Sequence, residues 1–159
     1  MNTFDSAVFI PSPIAVVWDF FSDPRNLARL TPPPLRLELV GAPHRTRAGD
    51  LVELRLRVFG VPLRWCSLIE ASEPERRFVD FQLDGPYRYW RHEHRFRSEN
   101  GGTWLRDHVE YELPLGRLGA FMDRLWVRRT LTRMFRFRGE AALRLLGTPA
   151  LGKVVPSCA

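Results

Sequence analysis

The chain has almost no lysine and almost no cysteine. Lys153 is the one lysine among its 24 Lys and Arg residues, so arginine carries the formal net charge of +6. A basic chain invites a nucleic-acid reading. Yet the arginines are spread from Arg25 to Arg144 rather than gathered in one block. A GC-rich coding sequence explains that bias more simply than a phosphate-binding surface, and no nucleic-acid partner is expected. Cys66 and Cys158 form no CxxC pair, so free thiols are expected rather than a disulfide framework. No run approaches the roughly 20 apolar residues that span a bilayer, so stable membrane insertion is not expected. The start, MNTFDSAVFIPSP, lacks the basic residues and apolar stretch of a secretory signal. The expected location is the cytoplasm of a bacterium. Internal repeats are absent, as are a P-loop, a Rossmann fingerprint, a nucleophile elbow and HExxH. No cofactor is predicted.

What remains is an ordinary globular composition, 45% hydrophobic over 159 residues. That length suits one core. One domain is expected over residues 1–147, followed by a flexible tail at 148–159. Thr3–Ile10 reads as a first strand, stopped by Pro11-Ser12-Pro13. Ser12 is a candidate N-cap and Pro13 suits a first helical turn. Ile14–Phe21 then reads as a short helix. A second runs from Asp23-Pro24 to Leu30 and is ended by Thr31-Pro32-Pro33-Pro34.

From Leu35 the apolar period becomes two, as in half-buried antiparallel strands. Short connections predict a six-strand meander. A turn at Gly60-Val61 sets Val58 against Leu63, Leu56 against Trp65, Leu54 against Ser67 and Val52 against Ile69. A turn at Glu73-Pro74 sets Ile69 against Phe78, Ser67 against Asp80 and Trp65 against Gln82. Asn100-Gly101 is a strong type I′ signal. It pairs Phe96 with Leu105, His94 with Asp107, His92 with Val109 and Trp90 with Tyr111. The connection at Asp84-Gly85-Pro86 needs an odd number of residues to keep the faces consistent, which predicts a bulge.

The last element runs from about Gly116 to Leu146. Leu118, Phe121, Met122 and Leu125 form one stripe, and Val127, Leu131, Met134, Phe135, Ala142 and Leu145 form a second, nearly opposite. One straight helix cannot bury both against a sheet. A break near Trp126–Arg129 is therefore expected, with Arg129, Arg133, Arg136 and Arg144 facing outward. The fold class is α+β: a curved antiparallel sheet of about seven strands around a long C-terminal helix, with two short helices between strands 1 and 2. A helix seldom follows a curved sheet along its whole length, so a cavity between them is expected.

Several motifs carry a family likeness. Phe78-x-Asp80-x-Gln82 is followed by Gly85-Pro86-Tyr87-Arg88-x-Trp90-x-His92-x-His94-x-Phe96. Pro24-x-Asn26-x-x-Arg29-x-Thr31-Pro32, Gly101-Gly102-Thr103-x-x-x-Asp107 and Leu113-Pro114-x-Gly116 flank them. Together, over residues 3–147, they resemble the cyclase/dehydrase-like ligand-binding branch of the SRPBCC and START-like superfamily. The resemblance implies the helix-grip fold and a generic ligand-binding role. Fold alone does not fix function.

The inward face also carries an unusual polar group: Ser67, Asp80, Gln82, His92, His94 and Asp107. Buried polar groups are costly without partners. Three readings stand: an internally satisfied structural network, the polar floor of an aromatic-walled ligand pocket, or a metal site. His-x-His on one strand sets two imidazoles about 6.5 Å apart at their backbones. Asp80 or Asp107 could add a carboxylate. No third histidine shares the face, and no metal is predicted. The ligand-binding candidates are Trp65, Asp80, Gln82, Trp90, His92, Phe96 and Tyr111. The expected role is carrier or sensor of a small hydrophobic molecule that is lipid-, polyketide- or aromatic-like. The alternative is a cyclase or dehydratase using His92, His94 and Asp107 as a proton shuttle. Arg29 is read as capping its helix end.

Overall fold

The structure is a computed structural model that describes residues 1–33, 35–58, 60–114 and 123–147. Strand β1 (Asn2–Ile10) leads into helix α1 (Ile14–Phe21) and a 3₁₀ helix (Pro24–Leu30). Six strands follow: β2 (Arg36–Gly41), β3 (Leu51–Val58), β4 (Val61–Glu73), β5 (Arg77–Asp84), β6 (Tyr89–Glu99) and β7 (Gly102–Glu112). A π turn (Asp123–Val127) then opens helix α2 (Arg128–Leu146). The seven strands form one antiparallel sheet in the order β1-β7-β6-β5-β4-β3-β2. The first strand thus pairs with the last, and the sheet stays open at β1 and β2. This is the expected α+β arrangement, with the two short helices between the first two strands.

Turn chemistry explains most of the registers. Asn100 and Gly101 have φ of 49° and 77°, the left-handed pair a type I′ turn demands. They set Trp90 against Tyr111, His92 against Val109, His94 against Asp107 and Phe96 against Leu105, as the sequence predicts. Two other hairpins differ from expectation. The β3–β4 turn closes one position earlier, with Val58 opposite Val61. Gly60, at φ 85°, takes the second turn position, where its missing Cβ permits that φ. Leu56 therefore faces Leu63, Leu54 faces Trp65 and Val52 faces Ser67. In β4–β5, Glu75 adopts φ 59° and lengthens the turn. Glu70 and Leu83 are extra residues at register shifts, so Ile69 faces Asp80 and Ser67 faces Gln82. Leu83 lies beside the bulge expected at Asp84–Pro86. Around the site both slips are two positions, so Ser67, Ile69, Asp80 and Gln82 keep their predicted faces, whereas beyond the Glu70 bulge Ala71–Glu73 slip by three.

Ser12 does not cap α1. Pro13 holds the cap position without a side-chain bond, and the Ser12 hydroxyl instead donates to the Leu146 carbonyl at 2.5 Å. That bond ties the entry of α1 to the end of α2. Asp23 caps the 3₁₀ helix through the Arg25 N–H at 3.0 Å. Arg29 lies in the last turn of that helix, as expected of a basic residue at a helix end, bonds Asn26 Oδ1 at 3.2 Å and lies over the Phe20 ring. A π turn falls where the break was expected and ends as α2 begins at Arg128. Val127, Leu131, Phe135 and Ala142 are buried, while Leu145 is exposed. Arg129, Arg133, Arg136 and Arg144 face outward. Leu118, Phe121, Met122, Cys158 and the expected tail lie outside the described residues.

The inner face carries two clusters. One packs Ile10, Phe78, Phe96 and Leu105 of the sheet against Val17, Trp18 and Phe20 of α1 and Ala141 and Ala142 of α2. The other packs Trp90, Val109 and Tyr111 against Val127, Leu131 and Phe135.

Candidate functional site

Beside these clusters, under β3 and β4, the sheet and α2 part. The gap is a cavity of about 340 Å³. Its sheet wall is the alternating face of two strands: Val52, Leu54 and Leu56 from β3, with Leu63, Trp65, Ser67 and Ile69 from β4. Leu27, Leu35 and Leu37 close one side, and Val127, Leu131 and Met134 of the helical segment form the roof. Trp126 and Pro86 line it while remaining solvent-exposed, which places them at a rim. The wall is apolar because each strand contributes only its inward positions. β2 is the sheet's last strand and packs against the 3₁₀ helix rather than α2.

The polar end of the cavity is made by Asp80, His92 and His94. The pairing of Asp80 with His92 and of Phe78 with His94 puts these side chains side by side. Behind them lies Asp107, 4% exposed and off the cavity wall. His92 Nε2 is 3.0 Å from Asp107 Oδ1, and since a carboxylate can only accept, the ring donates. His94 Nδ1 approaches the same oxygen to 2.8 Å but out of hydrogen-bond line. The opposite nitrogens, His92 Nδ1 and His94 Nε2, stand 3.5 and 3.6 Å from Asp80 Oδ2. Asp80 Oδ1 is 3.5 Å from the Ser67 hydroxyl, which accepts the Trp65 indole N–H at 2.8 Å. The imidazoles lie 3.8 Å apart at their centroids, and Phe78 stacks on His94 at 4.0 Å.

Charge in this cluster is set by burial against pairing. Burial raises the Asp107 carboxyl, but its two histidines outweigh that and hold it far below the usual range. Asp80 is held down the same way, by His94, His92 and the more distant Arg138. Burial and the neighbouring His94 depress His92 to about 4. Burial also works against charging His94, but the two carboxylates prevail and raise it. The two rings thus differ in proton affinity although both are buried, because His94 has both carboxylates working to keep it charged.

Of the candidate ligand-binding residues, Trp65, Asp80, Trp90 and His92 line the cavity. Three do not. Phe96 is 7% exposed and packs with Trp18, Phe21 and Phe78 in the first cluster. Tyr111 is buried, and its hydroxyl donates to Asp123 at 2.7 Å. Gln82 clamps the next loop: its amide donates to the Tyr87 carbonyl at 2.7 Å and accepts from the Tyr87 N–H at 3.4 Å. A Cβ on Gly85 would run into Gln82 Oε1. This clamp holds Pro86 and Tyr87 at the cavity wall, where burial pushes the Tyr87 phenol up to about 12. Sequence reasoning missed Arg138, which lines the cavity above Asp80 and lies over the Phe135 ring at 5.2 Å. Its Nε is buried without a hydrogen-bond partner. The signal was there: Leu131, Phe135, Arg138 and Ala142 follow helical spacing, so Arg138 shares the inward stripe.

A sheet curved about a helix, with a cavity between them, defines the helix-grip class of START-like proteins. Residues 10–136 match the family described as polyketide cyclase/dehydrase and lipid transport, and the chain belongs to it. Solved structures agree on the fold. CV1439 from Chromobacterium violaceum superposes with a TM-score of 0.75 at 16% identity, covering 94% of this chain and 100% of that one. TTHA0849 from Thermus thermophilus gives 0.71 at 20% identity, covering 91% and 99%. The ZhuI aromatase/cyclase from Streptomyces sp. R1128 gives 0.67 at 18% identity, covering 95% and 98%. A comparison with curated proteins finds no match.

Proposed function

We propose that the protein binds one small hydrophobic molecule, lipid-, polyketide- or aromatic-like, in the cavity under α2, and serves as its carrier or sensor. The observation that carries this reading is the cavity's asymmetry. Leucines of β3 and β4 face a void of about 340 Å³, while every charged wall residue sits at one end. Ligand pockets occupy about 300–1,000 Å³, with apolar walls and a few convergent polar groups. Among the described residues no helix is long and apolar enough to cross a membrane. Cys66 is free, which suits a reducing cytoplasm.

Native mass spectrometry of the purified protein tests the carrier reading. A bound small molecule should be released on denaturation and return unchanged after incubation with fresh protein. A chemically altered molecule would instead favour the second reading, a cyclase or dehydratase. That reading is favoured by one observation: His92 and His94, on the cavity wall, stand between Asp80 beside them and Asp107 behind them, as a proton shuttle would need.

A further inference from the structure

We propose that Asp80, His92 and His94 bind one divalent transition-metal ion of the zinc class, with an open coordination position facing the cavity. The candidate ligand atoms are His92 Nδ1, His94 Nε2 and Asp80 Oδ2. The two nitrogens stand 3.5 and 3.6 Å from that oxygen. Such distances are long for N–H···O hydrogen bonds. They match a different relation: two ligands about 2.0–2.2 Å from one ion stand about 3.3–3.6 Å apart at the tetrahedral angle. All three atoms lie within 4.8 Å of one another.

The second observation is what lies behind the imidazoles. Metal-binding histidines usually offer their other ring nitrogen to a carboxylate, which fixes the tautomer and aims the lone pair. Asp107 occupies that place for His92, hydrogen-bonded to its Nε2 at 3.0 Å, and stands 2.8 Å from His94 Nδ1, where a small turn of the ring would bring the N–H into line. With a proton on each of those nitrogens, both free lone pairs converge with the Asp80 carboxylate. Three electron-rich atoms then face one another, and a cation is what relieves them. Two nitrogens and one carboxylate oxygen suit zinc, cobalt or ferrous iron, and do not suit magnesium or calcium.

The three ligands line the cavity and Asp107 does not. The open position therefore points to the space that the proposed hydrophobic ligand fills. Arg138 opposes metal binding by its charge, which reaches Asp80. Asp80 and Asp107 together carry two negative charges, so a divalent ion beside them leaves the arginine's charge in excess. The favoured fourth ligand is then an anionic oxygen, a carboxylate or enolate. This last step rests on the cavity reading; the metal site itself does not.

The test uses the full chain, stripped with chelator and titrated with Co²⁺ alone. The expected result is one equivalent taken up saturably, with the visible bands of four- or five-coordinate cobalt. His92→Ala and Asp80→Asn should abolish them. Asp107→Asn should weaken uptake about 10–100-fold, the usual effect of losing a carboxylate behind a metal-bound histidine. His44→Ala, His108→Ala and Cys66→Ser should leave uptake unchanged. Circular dichroism reports whether each variant folds. Asp80→Asn keeps the test decisive should His92→Ala misfold, because the Asp80 side chain, 19% exposed, opens to the cavity. No saturable uptake by the native chain, or uptake that survives Asp80→Asn in a folded protein, overturns the site. Anilinonaphthalene sulfonate binding to the metal-free chain reads the cavity separately. Dye uptake without cobalt uptake sinks the metal site and leaves the hydrophobic pocket standing.

Discussion

At one end of the sheet's inner face, Phe78, Phe96 and Leu105 meet α1, and Trp18 sets its ring edge-on to Phe96 at 5.3 Å and to Phe78 at 5.9 Å. At the other end, Leu54, Leu56 and Leu63 carry the same alternating pattern and meet a void. Both stretches obey one rule of strand burial. They differ because α1 and the end of α2 cover the first, whereas the π turn carries the helix across the second at a distance. Apolar groups without neighbours forfeit dispersion contacts. The hollow half is therefore less stable than its composition would allow, and that is what supports a bound molecule as its missing partner.

The sharpest way to break this contrast is to truncate one side chain at each end. Phe96→Ala should cost about 3–5 kcal/mol, because a packed site cannot collapse onto the deletion. Leu56→Ala should cost about 2 kcal/mol or less, since part of its surface already faces empty space. Urea denaturation of both variants measures the difference. Equal losses would mean that the cavity is filled by protein in solution.

Enlarging side chains tests the same contrast from the other direction. Val109, fully buried between Phe4 and the α2 residues, should not accept a larger ring: Val109→Phe should destabilise by about 1–3 kcal/mol through overpacking. Leu56→Phe points into the hollow and should change stability by about 1 kcal/mol at most. It should also lower affinity for an apolar dye by occupying the dye's volume. Thermal melts and dye titrations run in parallel separate the two effects.

A similar contrast runs through the polar cluster. Asp107 is sealed behind the imidazoles, whereas Asp80 opens to the cavity. Asp107→Leu leaves His92 Nε2 without its acceptor, and an orphaned buried donor costs about 1–3 kcal/mol. Asp80→Asn should be milder, within about 1 kcal/mol, because its oxygens make only long contacts with the protein. Chemical denaturation that ranks Asp80→Asn above Asp107→Leu would contradict this division of roles.

How much of this was legible in the sequence depended on turn chemistry. Asn100-Gly101 has one favoured geometry, so the pairing of His94 with Asp107 followed directly. Gly60 and Glu75 each served more than one turn length, and the registers they govern slipped. The faces survived because slips by an even number of positions preserve alternation. That is why Asp80, Gln82, His92 and His94 were placed inward correctly, although Asp80 pairs with Ile69 rather than Ser67. Facing inward is not the same as facing the cavity. Phe96 and Tyr111 share the face with Trp65 and Trp90, yet α1 covers one and Asp123 engages the other. Depth depends on where a helix lands, and no local pattern encodes that.

Arg138 gives the smallest expected stability change and tests the two ends most finely. It sits on the inward stripe of α2 between Phe135 and Ala142, where the packed half gives way to the cavity. Its guanidinium lies over the Phe135 ring, and its buried Nε has no partner. Arg138→Met keeps the apolar stem and removes the unpaired donor. The loss of a modest cation–π contact, about 0.5–1 kcal/mol, is set against relief of the unsatisfied group, about 1–3 kcal/mol. The melting temperature should therefore stay level or rise. Binding should respond to charge instead. An anionic probe that reaches the guanidinium gains a charged hydrogen bond of about 1.5–3 kcal/mol, so anilinonaphthalene sulfonate should bind Arg138→Met about tenfold more weakly or worse. A neutral dye of similar size should bind both proteins alike. Equal loss of both dyes would place Arg138 among the residues that shape the cavity, and a large drop in melting temperature would place it in the packed half.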